Sequence, residues 1–404
     1  MPQQPHSANT GSGSFLRWRE IPASVWTLGV VSLLMDVSSE MIHALLPLYL
    51  VAVLGTSTLT VGVIEGVAEA TTSIVKIFSG ALSDRLGNRK LLAAAGYGLA
   101  ALSKPVFPLA GSIGWIVGAR FLDRVGKGIR GAPRDALIAD LTPADIRGGA
   151  FGLRQSFDTV GAALGPLLAM LFMVLTASRF TVVFWIAVVP AWLSFALIAF
   201  FVAEPRRPVG PSARSPLALV ELRRFSSAYW RVVAVATVFT LARFSEAFLL
   251  LRAQSVGVPL AFAPTIMLIM NVVYALAAWP SGALSDKIGR HGLLAGGFAM
   301  LAVADLVLAF GTSFAGIAIG GALWGLHMGL TQGLLASLVA DTAPADLRGT
   351  AFGMFNLLTG AATLAASVIA GALWDAVGPT GTFVAGAAFT LLALAALPAV
   401  RRPA

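Results

Sequence analysis

The sequence predicts an all-α membrane protein of twelve transmembrane helices arranged as two pseudo-symmetric six-helix bundles. Three observations carry that prediction. Hydrophobic residues make up 57% of the 404 residues and charged residues 12%, whereas a soluble domain carries about 25% charged residues. Apolar stretches close to the ~20 residues that cross a bilayer recur from Trp26 to the end. A polar decapeptide, PADIRGGAFG (Pro143 to Gly152), returns half a chain length later as PADLRGTAFG (Pro344 to Gly353), eight of its ten residues unchanged.

Polar, Gly and Pro breaks divide the apolar sequence. In the first half the spans read 26–53, 60–82, 91–110, 114–135, 150–175 and 180–203. In the second they read 229–254, 262–284, 292–310, 314–338, 350–373 and 380–399. The chain then divides into a terminal segment (1–25), a first bundle (26–203), a linker (204–228), a second bundle (229–399) and a tail (400–404). The linker, EPRRPVGPSARSPLALVELRRFSSAYWR together with its flanks, is the longest polar connection and reads as flexible, with room for a short interfacial helix. Residues 1–20 are polar and the first apolar segment is span-length, so no cleaved leader is expected.

Basic residues orient the spans. Arg17, Arg19, Arg85, Arg89, Lys90, Arg147, the linker arginines, Lys287, Arg290, Arg348, Arg401 and Arg402 fall on one side, and the opposite loops hold Arg179 and little else. The expected topology puts both termini and the linker in the cytoplasm, in the inner or plasma membrane. That bias also accounts for the net charge of +9. Without a basic domain interleaved with aromatics, nucleic acid is not an expected partner.

Both decapeptides fall between the fourth and fifth span of their half. A second pair, GALSDRLGNRK from Gly80 and GALSDKIGRHG from Gly282, falls between the second and third. Two parallel six-span repeats are the plan of a two-lobed secondary transporter whose site lies near the midplane. These residues resemble the major facilitator superfamily, over about residues 26–400. The motif is carried by Gly80, Leu82, Asp84, Arg85, Gly87, Arg89 and Lys90, with a degenerate copy that includes Asp286. The resemblance implies a conformational latch, in which Gly80 lets two helices approach and Asp84 pairs with helix ends or arginines. A plain charged turn is the alternative. In the fifth span DTVGAALGPLL presents Gly161, Gly165 and Pro166, similar to the glycine–proline sequence of the drug/proton-antiporter branch, although LLAML replaces its further glycine pair. Read physically, two glycines one turn apart allow close packing, and the proline removes a backbone donor.

Ionisable groups inside spans are costly, and each suggests a function or a buried partner. At 100° per residue, Arg120, Asp123, Arg124, Lys127, Arg130, Arg134 and Asp135 share an arc of about 140° on span four. Such a face must line a wet cavity or meet acidic neighbours, unless Gly126, Gly128 and Pro133 break the helix. The family resemblance matches Arg120 to a commonly found span-four arginine. Span one offers Asp36, Glu40 and His43 on one face, and span two offers Glu65 and Glu69. A carboxylate whose cationic partner moves during a conformational cycle would load and release a proton, and Asp36 and Glu40, then Glu65 and Glu69, are the candidates. Arg120, Arg124 and Lys127 suit an anionic group on a substrate, with His43 beside them. From the second bundle, Arg243 and Glu246 (expected to pair with each other or across the cavity), Asn271, Tyr274, His327 and Gln332 are further candidate binding residues. Asp305 has no evident helical partner.

The reading that follows is a proton-coupled exporter of a small amphipathic or anionic solute, acting as a monomer. The alternative is a proton-coupled importer of an organic anion or a siderophore-like or metal-related solute. A membrane receptor or scaffold is more remote, because no soluble domain is added. With no cysteine and four scattered histidines, neither a resident metal nor a cofactor is expected. No nucleophile, histidine or nucleotide-loop motif points to an enzyme.

Overall fold

The computed structural model describes residues 20–86, 88–143, 146–204, 219–344 and 347–400. The described residues trace twelve helical passes. The first is α1 (Ala23–His43) and α2 (Leu46–Ala52), and Pro47 sits in the opening turn of α2, where its missing N–H costs nothing. Next come α3 (Thr58–Leu86), then α4 (Arg89–Ser103) with α5 (Val106–Leu109) after Pro105, then α6 (Ile113–Leu141), α7 (Arg147–Leu175) and α8 (Phe180–Phe201). The second bundle holds α9 (Ser227–Ala242) with α10 (Ala247–Ser255), α11 (Thr265–Ile288), α12 (Arg290–Phe310) and α13 (Phe314–Thr342). Its last two passes form one helical run, α14 (Arg348–Ala396), turned back at Gly378, whose φ of 82° is followed by Pro379.

The pseudo-symmetry is visible in the packing. In the first bundle α1 lies against α7 and α8, and α6 against α3 and α4; in the second, α9 lies against α14, and α13 against α11 and α12. The bundles meet through α3 on α14 and, at the symmetric position, α7 on α11. A continuous apolar core, with Leu48 and Phe184 from one bundle and Phe248 and Phe298 from the other, runs through both. Among the described residues, seven helical stretches are long and apolar enough to cross a membrane. Helices α3 and α6 fall short because their ionisable faces lie within the span, not because they are short (29 residues each).

Two expectations change. Span seven is not continuous: Arg243–Glu246 leaves the helix between α9 and α10. The chain contains neither Gly nor Pro there, so local composition carried no break signal. Conversely, α6 runs unbroken through Gly126, Gly128 and Pro133. These two glycines admit neighbours instead, Gly126 against the backbone of α4 and Gly128 against Val75.

The end of the molecule bearing the linker is here called the linker side, and the other the far side. On the far side the carboxylate of Asp375 (α14) accepts the backbone N–H groups of Thr58 (3.1 Å) and Leu59 (2.9 Å) and the hydroxyl of Thr58. It thus caps a helix of the opposite bundle. Gly62 lies on the carbonyl of Ser367, where any added Cβ would overlap it. On the symmetric seam, Thr265 meets the sulfur of Met170 at 3.2 Å.

Candidate functional site

The charged arc of α6 faces inward. Arg120, Asp123, Arg124, Arg130 and Arg134 are all buried. A buried cation is tolerated only with a partner, and the neighbouring helices supply carboxylates. Glu65 on α3, fully buried, lies 2.6 Å from the guanidinium of Arg120. Glu69, one turn further on, lies 3.0 Å from Arg124. Asp123 is held by Lys104 at 2.8 Å, the same ammonium donating to Ser39 of α1 at 2.9 Å. Toward the linker side, Arg154 bridges Asp135 (2.9 Å) and Asp158 (2.6 Å), while Arg134 donates to Ser32.

The two carboxylates of α1 have no ion-pair partner closer than 3.3 Å among the described residues. Asp36 stands 3.5 Å from Arg130. Glu40 stands 3.3 Å from Nδ1 of His43, whose Nε2 lies 3.5 Å from Glu65. Both carboxylates rest on α7. A Cβ built on Gly161 would come within 3.0 Å of Cβ of Asp36, and one built on Gly165 would overlap Cβ of Glu40. The glycine pair is therefore the bed on which these two acidic residues lie.

Pro166 completes that arrangement. Lacking an N–H, it leaves the carbonyl of Ala162, four residues earlier, without its helical donor. Asn271 on α11 fills that acceptor with Nδ2 at 2.9 Å. The hydrogen bond joins the two bundles at the level of the glycine pair.

Two cavities lie in series between the bundles and share Glu40 and Lys127. The central one, about 300 Å³, is walled by Glu40, His43, Glu69, Arg124 and Lys127 from the first bundle and by Arg243, Phe244, Glu246 and Trp324 from the second. The second, about 280 Å³, continues toward the linker side past Asp36, Lys76, Arg134, Asp158, Asn271 and Tyr274.

The remaining candidates separate. Arg120 lies behind the wall, committed to Glu65, and lines neither cavity. His327 is fully buried, with both ring nitrogens lacking a hydrogen bond, edge-on to Trp324 and Phe239. Arg243 and Glu246 form no ion pair with each other or across the cavity among the described residues. The break in span seven removes the helical spacing that pairing on one helix required. The side chains of Gln332, Asp84, Arg85 and Asp286, and Gly87, lie outside the described residues. Gly80 permits no unusual approach, since an added Cβ would meet Ala132 at an ordinary 3.5 Å. Arg89 binds Asp140 at 2.7 Å and the carbonyl of Ala136, and the backbone N–H groups of Arg89 and Lys90 donate to Glu204. These contacts tie α4 to α6 and to the start of the linker, within one bundle. Asp305 is buried, and neither oxygen has a hydrogen-bond partner among the described residues.

Sequence reasoning passed over Lys104, although a lone cation in the otherwise apolar third span was a signal of the same kind as those on α6. It placed Arg130 and Arg134 on the stripe without a role, and had no reason to select Asp158 or Asp375, whose partners are set by tertiary contact.

The chain matches the family model described as Major Facilitator Superfamily over residues 28–270 and again over 233–404. It is 33% identical to the uncharacterized MFS-type transporter MJ1317 of Methanocaldococcus jannaschii, over 93% of this chain and 94% of that protein. It is 30% identical to the multidrug resistance protein MdtH of Edwardsiella ictaluri, over 48% of each chain. Among solved structures, the nucleoside transporter NupG superposes with a TM-score of 0.76 at 12% identity, covering 95% of this chain and all of that one, a likeness of fold.

Proposed function

Because the chain belongs to the major facilitator superfamily, we propose that it is a proton-coupled antiporter that exports a small amphipathic or anionic solute by alternating access. The observation that carries the reading is the seating of Asp36 and Glu40 in the cavity wall, on the glycine pair of the antiporter-like sequence. Both are loosely paired, at 3.5 and 3.3 Å. Glu65, by contrast, is locked to Arg120 at 2.6 Å. A carboxylate exchanges protons with water only if it reaches a wet space and its counter-charge can let go. The cavity-lining positions of Asp36 and Glu40 and their long pair distances support that role for them.

The termini and linker are assigned to the cytoplasm of an inner or plasma membrane by their basic residues. The far side, sealed by Asp375 and the α3–α14 seam, then faces outward. The second cavity extends past Lys76 and Asp158 toward the linker side, the side from which an exporter loads. A part of the chain is similar to a multidrug resistance protein, which supports efflux over uptake.

Reconstitution into vesicles with an imposed pH gradient tests the reading. Solute is expected to move against the direction of proton flow and to release lumenal protons, reported by a trapped pH dye. Solute and protons moving together would assign the chain to symport instead.

A further inference from the structure

We infer that the central cavity takes a small organic anion with a flat apolar body, its anionic group held between Lys127 of the first bundle and Arg243 of the second. This inference rests on the transporter reading above and narrows it to a solute class.

The ionisable groups of the cavity wall differ in how they are paired. Glu69 is paired with Arg124 at 3.0 Å and Glu40 with His43 at 3.3 Å. Three ionisable groups remain without an ion pair among the described residues: Lys127, Arg243 and Glu246. Lys127 lies within electrostatic reach of Asp36, Glu40 and Glu69 but bonds to none of them. The Nε of Arg243 is buried without a hydrogen bond, and its guanidinium lies 6.0 Å from the ring of Phe239. Neither cation has a carboxylate in contact among the described residues, and a partly buried cation without a partner is unfavourable. An anionic ligand group between them removes that cost.

Local structure points the same way. The break at Arg243–Glu246 lets α10 begin at the cavity wall. The positive end of a broken helix favours an anion. The apolar part of the wall is aromatic. Phe244 and Trp324 have ring centroids 5.5 Å apart, and Phe244 is further braced by Phe248 and Phe383 at 5.4 Å. Such a rigid surface suits a planar solute. A cavity of about 300 Å³ is at the small end of the range of roughly 300–1,000 Å³ for ligand sites. Because the two cations stand on different bundles, one anionic group reaches both only when the bundles are together.

Binding of three matched probes, 2-naphthoate, 2-naphthamide and 2-naphthylmethylammonium, to the purified protein in lipid nanodiscs tests the assignment. Naphthoate is expected to bind at least tenfold more tightly than the amide, and the ammonium more weakly than either. Lys127→Gln and Arg243→Gln are each expected to weaken naphthoate about tenfold, the loss of one charge-assisted contact, and to leave the amide unchanged. Glu246→Gln, which removes the opposing carboxylate without truncating a cation, is expected to tighten naphthoate and not the amide. This variant keeps the test decisive if a cation variant fails to fold. Trp324→Leu is expected to weaken naphthoate and amide alike. Equal binding of the three probes, preference for the ammonium, or no binding of naphthoate overturns the inference. Tight naphthoate binding with no vesicle transport would leave this assignment standing and remove the transporter reading, whereas proton-driven transport of a cation would do the reverse.

Discussion

Gly165 on α7 lies directly against Glu40 on α1, so closely that the first carbon of any side chain at 165 would overlap Glu40 Cβ. The neighbouring pair, Gly161 and Asp36, is looser, with 3.0 Å to the same hypothetical carbon. The glycine pair therefore positions the two carboxylates proposed to carry protons. Gly165→Ala is expected to cost about 1–3 kcal/mol, the range for forced overpacking, and Gly161→Ala less. Denaturation in detergent checks the order, and proton flux in vesicles should fall with Gly165→Ala even where the protein remains folded. An equal or reversed order would mean that the seat is not what the glycines provide.

Pro166 and Asn271 act as one device. Restoring a donor with Pro166→Ala gives Ala162 its helical hydrogen bond and displaces Asn271. Asn271→Ala removes the same cross-bundle bond from the other end. The two substitutions are expected to loosen the α7–α11 contact similarly, and the double variant to be no worse than either alone. A double-mutant cycle on cross-linking rates across this seam should give a coupling of about 1 kcal/mol. Strict additivity would refute the shared bond.

Glu65 and Arg120 are fully buried and 2.6 Å apart. Replacing one partner leaves an unanswered charge, so Glu65→Gln is expected to destabilise by about 3–5 kcal/mol, and replacing both by apolar residues of similar size to recover much of it. Thermal unfolding in detergent reads both. A Glu65→Gln protein of normal stability and lost coupling would move Glu65 from scaffold to proton carrier.

Asp375 closes the far side by capping Thr58 and Leu59. The chain has no native cysteine, so a single Leu364→Cys, at a position whose side chain packs on Gly66 of α3, reports parting of α3 from α14. Asp375→Ala is expected to raise its maleimide labelling rate roughly 5- to 30-fold, matching about 1–2 kcal/mol for a lost cap. Unchanged labelling would show that the seal does not depend on the cap.

The twelve passes and the duplication were legible because hydrophobic length and a repeated polar decapeptide survive without tertiary information. The inward face of α6 was legible for a similar reason, since seven charges at helical spacing inside a span can face only an interior. The partners were less so. Glu65 and Glu69 were visible as acidic neighbours, but that Glu65 takes Arg120 while Lys104 takes Asp123 depends on how α3, α4 and α6 pack. Pro166's missing donor is a property of the sequence, whereas the arrival of Asn271 at Ala162 requires the two bundles to meet. The break at Arg243–Glu246 carries no Gly or Pro, and the α9–α10 geometry it creates is a product of packing.

The central claim is that Asp36 and Glu40, by gaining and losing protons, shift the balance between the two arrangements of the bundles. Spin labels at Leu54→Cys and Val377→Cys, exposed positions on opposite bundles at the far side, measure that balance by pulsed electron–electron distance spectroscopy in nanodiscs, with no substrate needed. The account predicts a distance distribution whose populations change between acidic and neutral pH, and which Asp36→Asn combined with Glu40→Gln holds fixed. A distribution indifferent to pH, or one that still responds to pH in the double variant, would contradict it.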